Sequence, residues 1–157
     1  MTIVVGVSDA KVSANAGDVL ATYSLGSCIG VSVHDPHVKV TGLLHFQLPS
    51  AGDPARAAQQ PYMFADSGMS LLLNELAQLG AQPRRLRVRL AGAAKMFEDN
   101  GFFDIGRRNH AAIRKILWQR GMLVDSEHIG GTVPRTMFVK VADGSLVIRS
   151  YGREIAD

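Results

Sequence analysis

One cysteine and one histidine in the first third of the chain have the right side chains to form a reactive pair. Cys28 is the single cysteine, and His45 lies in the next apolar segment. Thiolate is the nucleophilic form of cysteine, and a neighbouring imidazole can take up its proton and return it. The two residue types therefore indicate acyl-transfer chemistry, provided that the fold brings them together.

Two apolar segments, 28–34 and 40–46, are predicted to pair as an antiparallel hairpin. The Asp35-Pro36-His37 sequence between them is typical of a turn. A hairpin closed over residues 35–38 sets Cys28 directly opposite His45, with Cβ atoms roughly 4.5–5.5 Å apart. The same register gathers apolar side chains on one face and leaves Cys28 and His45 on the more polar face. A slip of one residue would separate them.

Further groups near Cys28 could complete such a site. Thr22, close to the end of the preceding predicted strand, is a candidate hydroxyl for orienting the imidazole. Glycines leave the backbone unshielded here, so N–H groups of Gly26, Ser27 or Gly30 could stabilise an oxyanion. A lone cysteine in a strand is more often a small buried hydrophobic residue. The residues alone leave both interpretations open.

The segments that must position this pair indicate a layered fold. Helices are predicted at 62–79 and 106–120, and residues 50–61 are predicted to form a mobile loop. Strands are predicted at 3–7, 19–24, 28–34, 40–46, 85–90, 122–125, 136–141 and 146–150. This order favours an α/β (α+β-like) layered fold, with mixed, largely antiparallel sheets and two main helices packed on them. We expect one domain over residues 1–157.

Composition narrows the classes of protein and site that are open. The chain has 157 residues, 46% hydrophobic and 20% charged, with a net charge of +3, which excludes a disordered tail. The uncharged run 19–33 is too short to span a bilayer, so we expect no membrane insertion and a cytoplasmic location. One cysteine excludes a multi-cysteine metal site. His34 and His37 are interpreted as surface-turn residues, and no metal or cofactor is expected.

A basic segment offers a candidate docking surface. Residues 84–120 contain ten basic and three acidic side chains, and Arg85, Arg87 and Arg89, together with Phe102, are candidates for contacting a substrate or partner. The alternative is a set of solvated faces without a partner. Aromatic interleaving and a recognition motif are missing from this segment, so nucleic-acid binding is not expected.

The sequence around the reactive pair resembles a known family. The stretches TYSLGSCIGV at 22–31 and GLLHFQLP at 42–49 are similar to those of the chemoreceptor glutamine deamidases, the CheD family. Weaker similarities follow in order along nearly the whole chain, including Ile105-Gly106, Arg108-Asn109 and Gly130-Gly131. One departure is Pro134, which stands before Arg135 where the family usually has glycine.

The resemblance implies a cysteine-dependent amidohydrolase that converts glutamines on the cytoplasmic helices of chemoreceptors to glutamates. Cys28 would be the nucleophile, His45 the general base and acid, and Thr22 the residue that orients His45. It also implies a CheD-like fold, no cofactor, and a CheC-type phosphatase as a partner. Glutamyl methyl ester hydrolysis is a related activity. The alternative is a catalytically weak or inactive module that binds the phosphatase.

Overall fold

Ten strands and three α-helices make up the described part of the chain. The computed structural model describes residues 1–96 and 104–156. The strands are β1 (Thr2–Val5), β2 (Asp9–Ser13), β3 (Val19–Leu25), β4 (Ile29–Asp35), β5 (Val40–Phe46), β6 (Arg87–Gly92), β7 (Val124–Ile129), β8 (Arg135–Lys140), β9 (Leu146–Ser150) and β10 (Arg153–Ala156). The helices are α1 (Pro54–Gln59), α2 (Ala65–Gln78) and α3 (Ile105–Gln119), with short 3₁₀ turns at Pro61–Met63 and Pro83–Arg85.

The strands form two five-stranded sheets that pack face to face. The outer sheet has the order β1-β3-β8-β9-β10, and the central sheet has the order β2-β5-β4-β6-β7. Most neighbouring strands are antiparallel, whereas β1 with β3 and β6 with β7 are parallel. Helices α2 and α3 cover the other face of the central sheet. The predicted layered α/β fold with largely antiparallel sheets and two main helices is confirmed.

The two middle strands of the central sheet are buried at every residue because both faces of that sheet are covered. Their alternating sequences divide between the layers. Ile29, Val31 and Leu44 join the core under the helices. Leu43 joins a second core between the sheets, where Cys28 packs at its margin. His34 of β4 and Thr41 and His45 of β5 therefore lie in the layer between the sheets.

Both main helices bury one apolar stripe on the central sheet. Helix α2 buries Met69, Leu72 and Leu76, and Leu72 comes so close to β5 that a Cβ at Gly42 would lie 2.8 Å from its Cδ1 atom. Helix α3 buries Ile113 among others. Neither these helices nor any other in the described ranges is long and apolar enough to cross a membrane.

The hairpin of β4 and β5 forms as predicted, but its register differs by two residues. Gly30, rather than Cys28, lies opposite His45, and Asp35 pairs with Val40. Asp35 stays in the strand because its buried carboxylate is held by Arg85, with Nη2 2.9 Å from Oδ2. The loop is therefore 36–39 instead of 35–38. A shift of two residues preserves the face, so Cys28 and His45 still share one side of the sheet.

Other predictions about elements are wrong. The segment 50–61 contains helix α1, which begins where Asp53 accepts a hydrogen bond from the Ala55 N–H and Pro54 occupies the first turn. The sequence analysis also missed β2 and β10 and ended β7 too early. His34 is buried and not on a surface turn, since its Nδ1 lies 2.8 Å from the Thr41 hydroxyl between the sheets.

Candidate active site

The imidazole of His45 is held between the two sheets by a hydroxyl from the outer sheet. His45 is fully buried, and its Nδ1 atom lies 2.7 Å from the Thr22 hydroxyl oxygen. Gly30, opposite His45, allows this approach, because a Cβ there would lie 3.5 Å from the Thr22 methyl and would overlap the Met137 sulfur. The structure therefore brings Thr22 and His45 together across the two sheets.

The hydrogen bonds of Thr22 determine where the imidazole carries its proton. The Thr22 hydroxyl donates to the Val5 carbonyl at 2.8 Å, which uses its single hydrogen. It can therefore only accept from His45, so Nδ1 is protonated and Nε2 carries the lone pair. Among the described residues, Nε2 has no hydrogen-bond partner. The site therefore presents an unoccupied base in the layer between the sheets.

Cys28 lies on a short bend that joins β3 to β4 and is only partly exposed. Hydrogen bonds fix the bend to the segment after β6: the Cys28 carbonyl accepts from the Ala93 N–H and the Gly26 carbonyl from the Ala94 N–H, both at 2.9 Å. At Gly92, φ is +121° and a Cβ would overlap the Cys28 carbonyl oxygen. The backbone at the cysteine thus packs directly on the end of β6.

Burial sets the protonation states of the pair. It lowers the pKa of His45 to about 4 and raises the pKa of the Cys28 thiol, an effect that the residue's own backbone N–H opposes. Both effects have the same cause, since a layer of low polarity disfavours the charged forms. At neutral pH the resting pair is therefore a neutral thiol and a neutral imidazole, not an ion pair.

The three residues predicted to offer backbone N–H groups to a substrate, Gly26, Ser27 and Gly30, lie in different hydrogen-bonding surroundings. The Gly26 N–H donates to the Ser24 carbonyl at 3.0 Å and is therefore occupied. Gly26 instead makes room for the Met96 side chain, whose Cγ would lie 2.9 Å from a Cβ. Gly30 lies within the ladder of β4. Ser27, directly before Cys28, is the remaining candidate for an oxyanion donor.

The predicted docking arginines differ in their exposure and in their partners. The Arg85 guanidinium is bound to the buried Asp35 carboxylate, so that it joins the segment before β6 to the end of β4. Arg87 is exposed, with Nη1 3.8 Å from an Asp125 carboxylate oxygen, and Arg89 is half-buried in β6. Phe102 lies outside the described residues. Docking by these side chains stays a prediction.

Another arginine, which the sequence analysis did not assign to the site, supports the loop next to the site. Arg135 is buried and donates to the carbonyls of Gly92 (3.0 Å) and Gly130 (2.5 Å) and to His128 Nδ1 (2.8 Å). Burial lowers the pKa of His128, consistent with a neutral ring that accepts this bond. Arg135 therefore ties the Gly130-Gly131 loop to the strand end beneath Cys28.

Asn109 of α3 is the other residue that the sequence analysis did not place in the site. It is fully buried and donates hydrogen bonds to the backbone carbonyls of Ser27 and Gln47. A polar amide on an otherwise apolar helical stripe was the available signal. In the described part of the chain, no group of three or more His, Cys, Asp or Glu side chains is placed to hold a metal ion.

Comparisons with known proteins agree on one family. The family model for CheD chemotactic sensory transduction matches residues 47–150. A probable chemoreceptor glutamine deamidase CheD of Solibacter usitatus is 46% identical over 153 residues, covering 97% of this chain and 90% of the relative. A second, CheD 1 of Syntrophus aciditrophicus, is 42% identical over 151 residues, covering 96% of this chain and 94% of the relative.

A third relative is similar over still more of the chain. It is the probable chemoreceptor glutamine deamidase CheD 2 of Anaeromyxobacter dehalogenans, which is 40% identical over 155 residues, covering 98% of this chain and 97% of the relative. These alignments include the segment with Cys28 and His45, which precedes the part matched by the family model. This chain belongs to the CheD family.

Proposed function

We propose that this chain is a cysteine-dependent deamidase that converts glutamine side chains on the cytoplasmic helices of chemoreceptors to glutamates. The relatives named as chemoreceptor glutamine deamidases support the substrate class. One observation carries the chemistry: Thr22 holds His45 so that Nε2 is a free base, on the same side of the sheet as the chain's single cysteine.

The reaction proceeds in two halves. Cys28 transfers its proton to His45 Nε2 as its sulfur attacks the glutamine side-chain carbonyl carbon, and the imidazolium returns that proton to the leaving nitrogen, which departs as ammonia. His45 then removes a proton from water as the water attacks the thioester. The thiolate leaves and regains a proton from the imidazolium, which gives glutamate and free enzyme. We assign the Ser27 N–H to the oxyanion of each intermediate.

The resting state fits a mechanism in which the substrate enters next to a neutral pair. The raised pKa of the thiol and the lowered pKa of the imidazole keep charge out of the layer between the sheets until the proton moves. Thr22 matters most at that step, because its oxygen accepts from Nδ1–H and stabilises the imidazolium that forms.

The test is to incubate the purified chain with the cytoplasmic fragment of a chemoreceptor. Deamidation raises the intact mass of the fragment by about 1 Da for each glutamine and releases one ammonia. We expect Cys28→Ala to abolish both signals. An active Cys28→Ala variant would show that the assigned nucleophile is wrong.

The chain supplies a matched control for the histidine. His34 and Thr41 form a second buried His–Thr pair between the same two sheets. The chain's single cysteine is assigned to the His45 pair, so this second pair has no nucleophile of its own. His45→Gln should abolish activity, whereas His34→Gln should retain it to the extent that the variant stays folded. Equal loss in both variants, at equal thermal stability, would remove the assigned role of His45.

Two related measurements test the alternative activities. Methanol release from a methylated receptor fragment would reveal an additional glutamyl methylesterase activity, since a thiol that attacks an amide carbonyl can also attack the more reactive ester. A wild-type chain that releases no ammonia but retains a CheC-type phosphatase in a pull-down would refute the deamidase and favour the interaction module.

A further inference from the structure

A single side chain of helix α3 links the segment before Cys28 to the segment after His45. Asn109 is fully buried on the stripe that α3 turns towards the central sheet. Its Nδ2 atom donates to the Ser27 carbonyl at 3.0 Å and to the Gln47 carbonyl at 2.8 Å. Ser27 directly precedes the cysteine, and Gln47 follows the histidine by two residues.

The orientation of this amide is fixed by its partners. Both partners are carbonyl oxygens, which can only accept, so the nitrogen must face them and both of its hydrogens are used. The Oδ1 atom is buried without a hydrogen-bond partner among the described residues. An unsatisfied buried oxygen is costly, so hydrophobic packing alone would favour leucine at this position.

The other anchors of the Cys28 bend leave a specific role for Asn109. The carbonyls of Gly26 and Cys28 are held by backbone N–H groups after β6, and those contacts do not involve the segment that carries His45. Beside the β4–β5 ladder, which pairs Gly30 with His45, Asn109 adds a side-chain contact to both sides of the pair. We propose that Asn109 is a positioning residue that sets the placement of the Cys28 thiol relative to the His45 imidazole.

This inference rests on the proposed deamidase chemistry and predicts two measurable changes, a slower turnover and a thiol that ionises at lower pH. Without the amide, the Ser27 carbonyl is released and the bend moves. Misplacement on the scale of 1 Å lowers kcat by about 100-fold, while KM stays nearly unchanged because Asn109 is buried and does not touch substrate. We expect the released bend to expose the partly buried thiol to more water, so that its raised pKa falls towards the usual value.

The test compares Asn109→Leu with Ile113→Ala. Leucine keeps the branching of the side chain and removes both hydrogen bonds, whereas Ile113→Ala weakens the same helix one turn away without touching either carbonyl. Deamidation gives kcat and KM, and alkylation of Cys28 by iodoacetamide against pH gives the thiol pKa without any receptor substrate. Because Cys28 is the single cysteine, the mass added to the peptide that contains it reports this site.

We expect Asn109→Leu to lower kcat at least tenfold and to shift the alkylation midpoint to lower pH, with neither change in Ile113→Ala. Asn109→Ser keeps one donor and provides a milder variant should leucine prevent folding; it should show both changes at smaller size. An active wild type with unchanged kcat and midpoint in both Asn109 variants overturns the inference. An inactive wild type overturns the proposed function, and this inference with it.

Discussion

At the scale of single residues, the candidate site can be compared with a similar His–Thr pair in the same fold. The fold contains two buried His–Thr pairs, His45 with Thr22 and His34 with Thr41, and in each pair the hydroxyl donates to a backbone carbonyl. A buried His–Thr pair is therefore not by itself evidence of an active site. The combination of a cysteine on the same side and a His45 Nε2 atom without a partner in the described structure distinguishes the first pair.

Thr22 can be tested by a pair of substitutions that separate its oxygen from its shape. Thr22→Val keeps the volume but removes the acceptor for Nδ1–H, so the imidazole loses its fixed tautomer and orientation. We expect kcat to fall about 10- to 100-fold, in line with one lost hydrogen bond of 1–3 kcal/mol to a developing charge. The measurement is steady-state ammonia release.

Thr22→Ser is the matched control for that substitution. Serine keeps the hydroxyl that bridges His45 and the Val5 carbonyl and loses one methyl group, so activity should stay within a few-fold of wild type. Equal activity in Thr22→Val and wild type would mean that the hydrogen bond at 2.7 Å does not govern the proton position during the reaction.

At the scale of elements, the end of β6 determines how the bend with Cys28 lies. Gly92 has φ +121°, and a Cβ at this position would overlap the Cys28 carbonyl oxygen. Gly92→Ala therefore combines backbone strain with a forced shift of the cysteine bend. We expect a loss of about 3 kcal/mol in the free energy of unfolding and a large loss of kcat.

Gly121 after α3 separates these two causes. It also has a positive φ, +70°, but a Cβ there meets nothing within 4 Å. Gly121→Ala should therefore cost only about 1 kcal/mol of backbone strain and leave kcat unchanged. Denaturant unfolding and ammonia release measure both effects, and similar results for the two alanine variants would show that β6 does not position Cys28.

The sequence predicts these elements well where hydrophobic periodicity is strong. The helices predicted at 62–79 and 106–120 correspond to α2 and α3 within a few residues, because their apolar stripes repeat every three or four positions. Helix α1 was missed since its small and polar residues bury none of its side chains. The same low apolar content hid the edge strand β10.

The sequence predicted which face of the hairpin carries the site, but not the register of its two strands. Alternation fixed Cys28 and His45 to one side of the hairpin, whereas the direct opposition of the two was wrong by two residues. In the structure Asp35 ends β4 with Arg85 bound to its carboxylate, a long-range contact that local turn preferences do not include. Asn109 was missed for the same reason, as both of its partners are distant in sequence.

At the scale of the whole molecule, the layered arrangement controls the electrostatics of the site. The central sheet is covered by helices on one face and by the outer sheet on the other, so His34, Thr41 and His45 are buried between the two sheets. Burial there lowers the pKa of both His45 and His34. The one-domain assignment over residues 1–157 remains a prediction.

This layer predicts how stability changes in acid. The folded chain binds a proton at His45 only near pH 4, whereas an unfolded chain does so near pH 6.5. Between these values the unfolded state binds more protons, so the free energy of unfolding falls as the pH decreases from 6.5 to 4 and is unaffected above that window. The loss from His45 amounts to about 3 kcal/mol between pH 7 and 4.

Urea denaturation at a series of pH values, with His45→Gln as the comparison, measures this contribution. His34 and His128 shift in the same direction and remain in both proteins, so they cancel in the difference. Asp35, whose pKa is lowered to about 2 by bonds from Arg85 and backbone N–H groups that outweigh its burial, loses its stabilising effect only below pH 3.8. The variant should therefore show a flatter curve between pH 6.5 and 4, and parallel curves would mean that His45 is already charged in the folded chain.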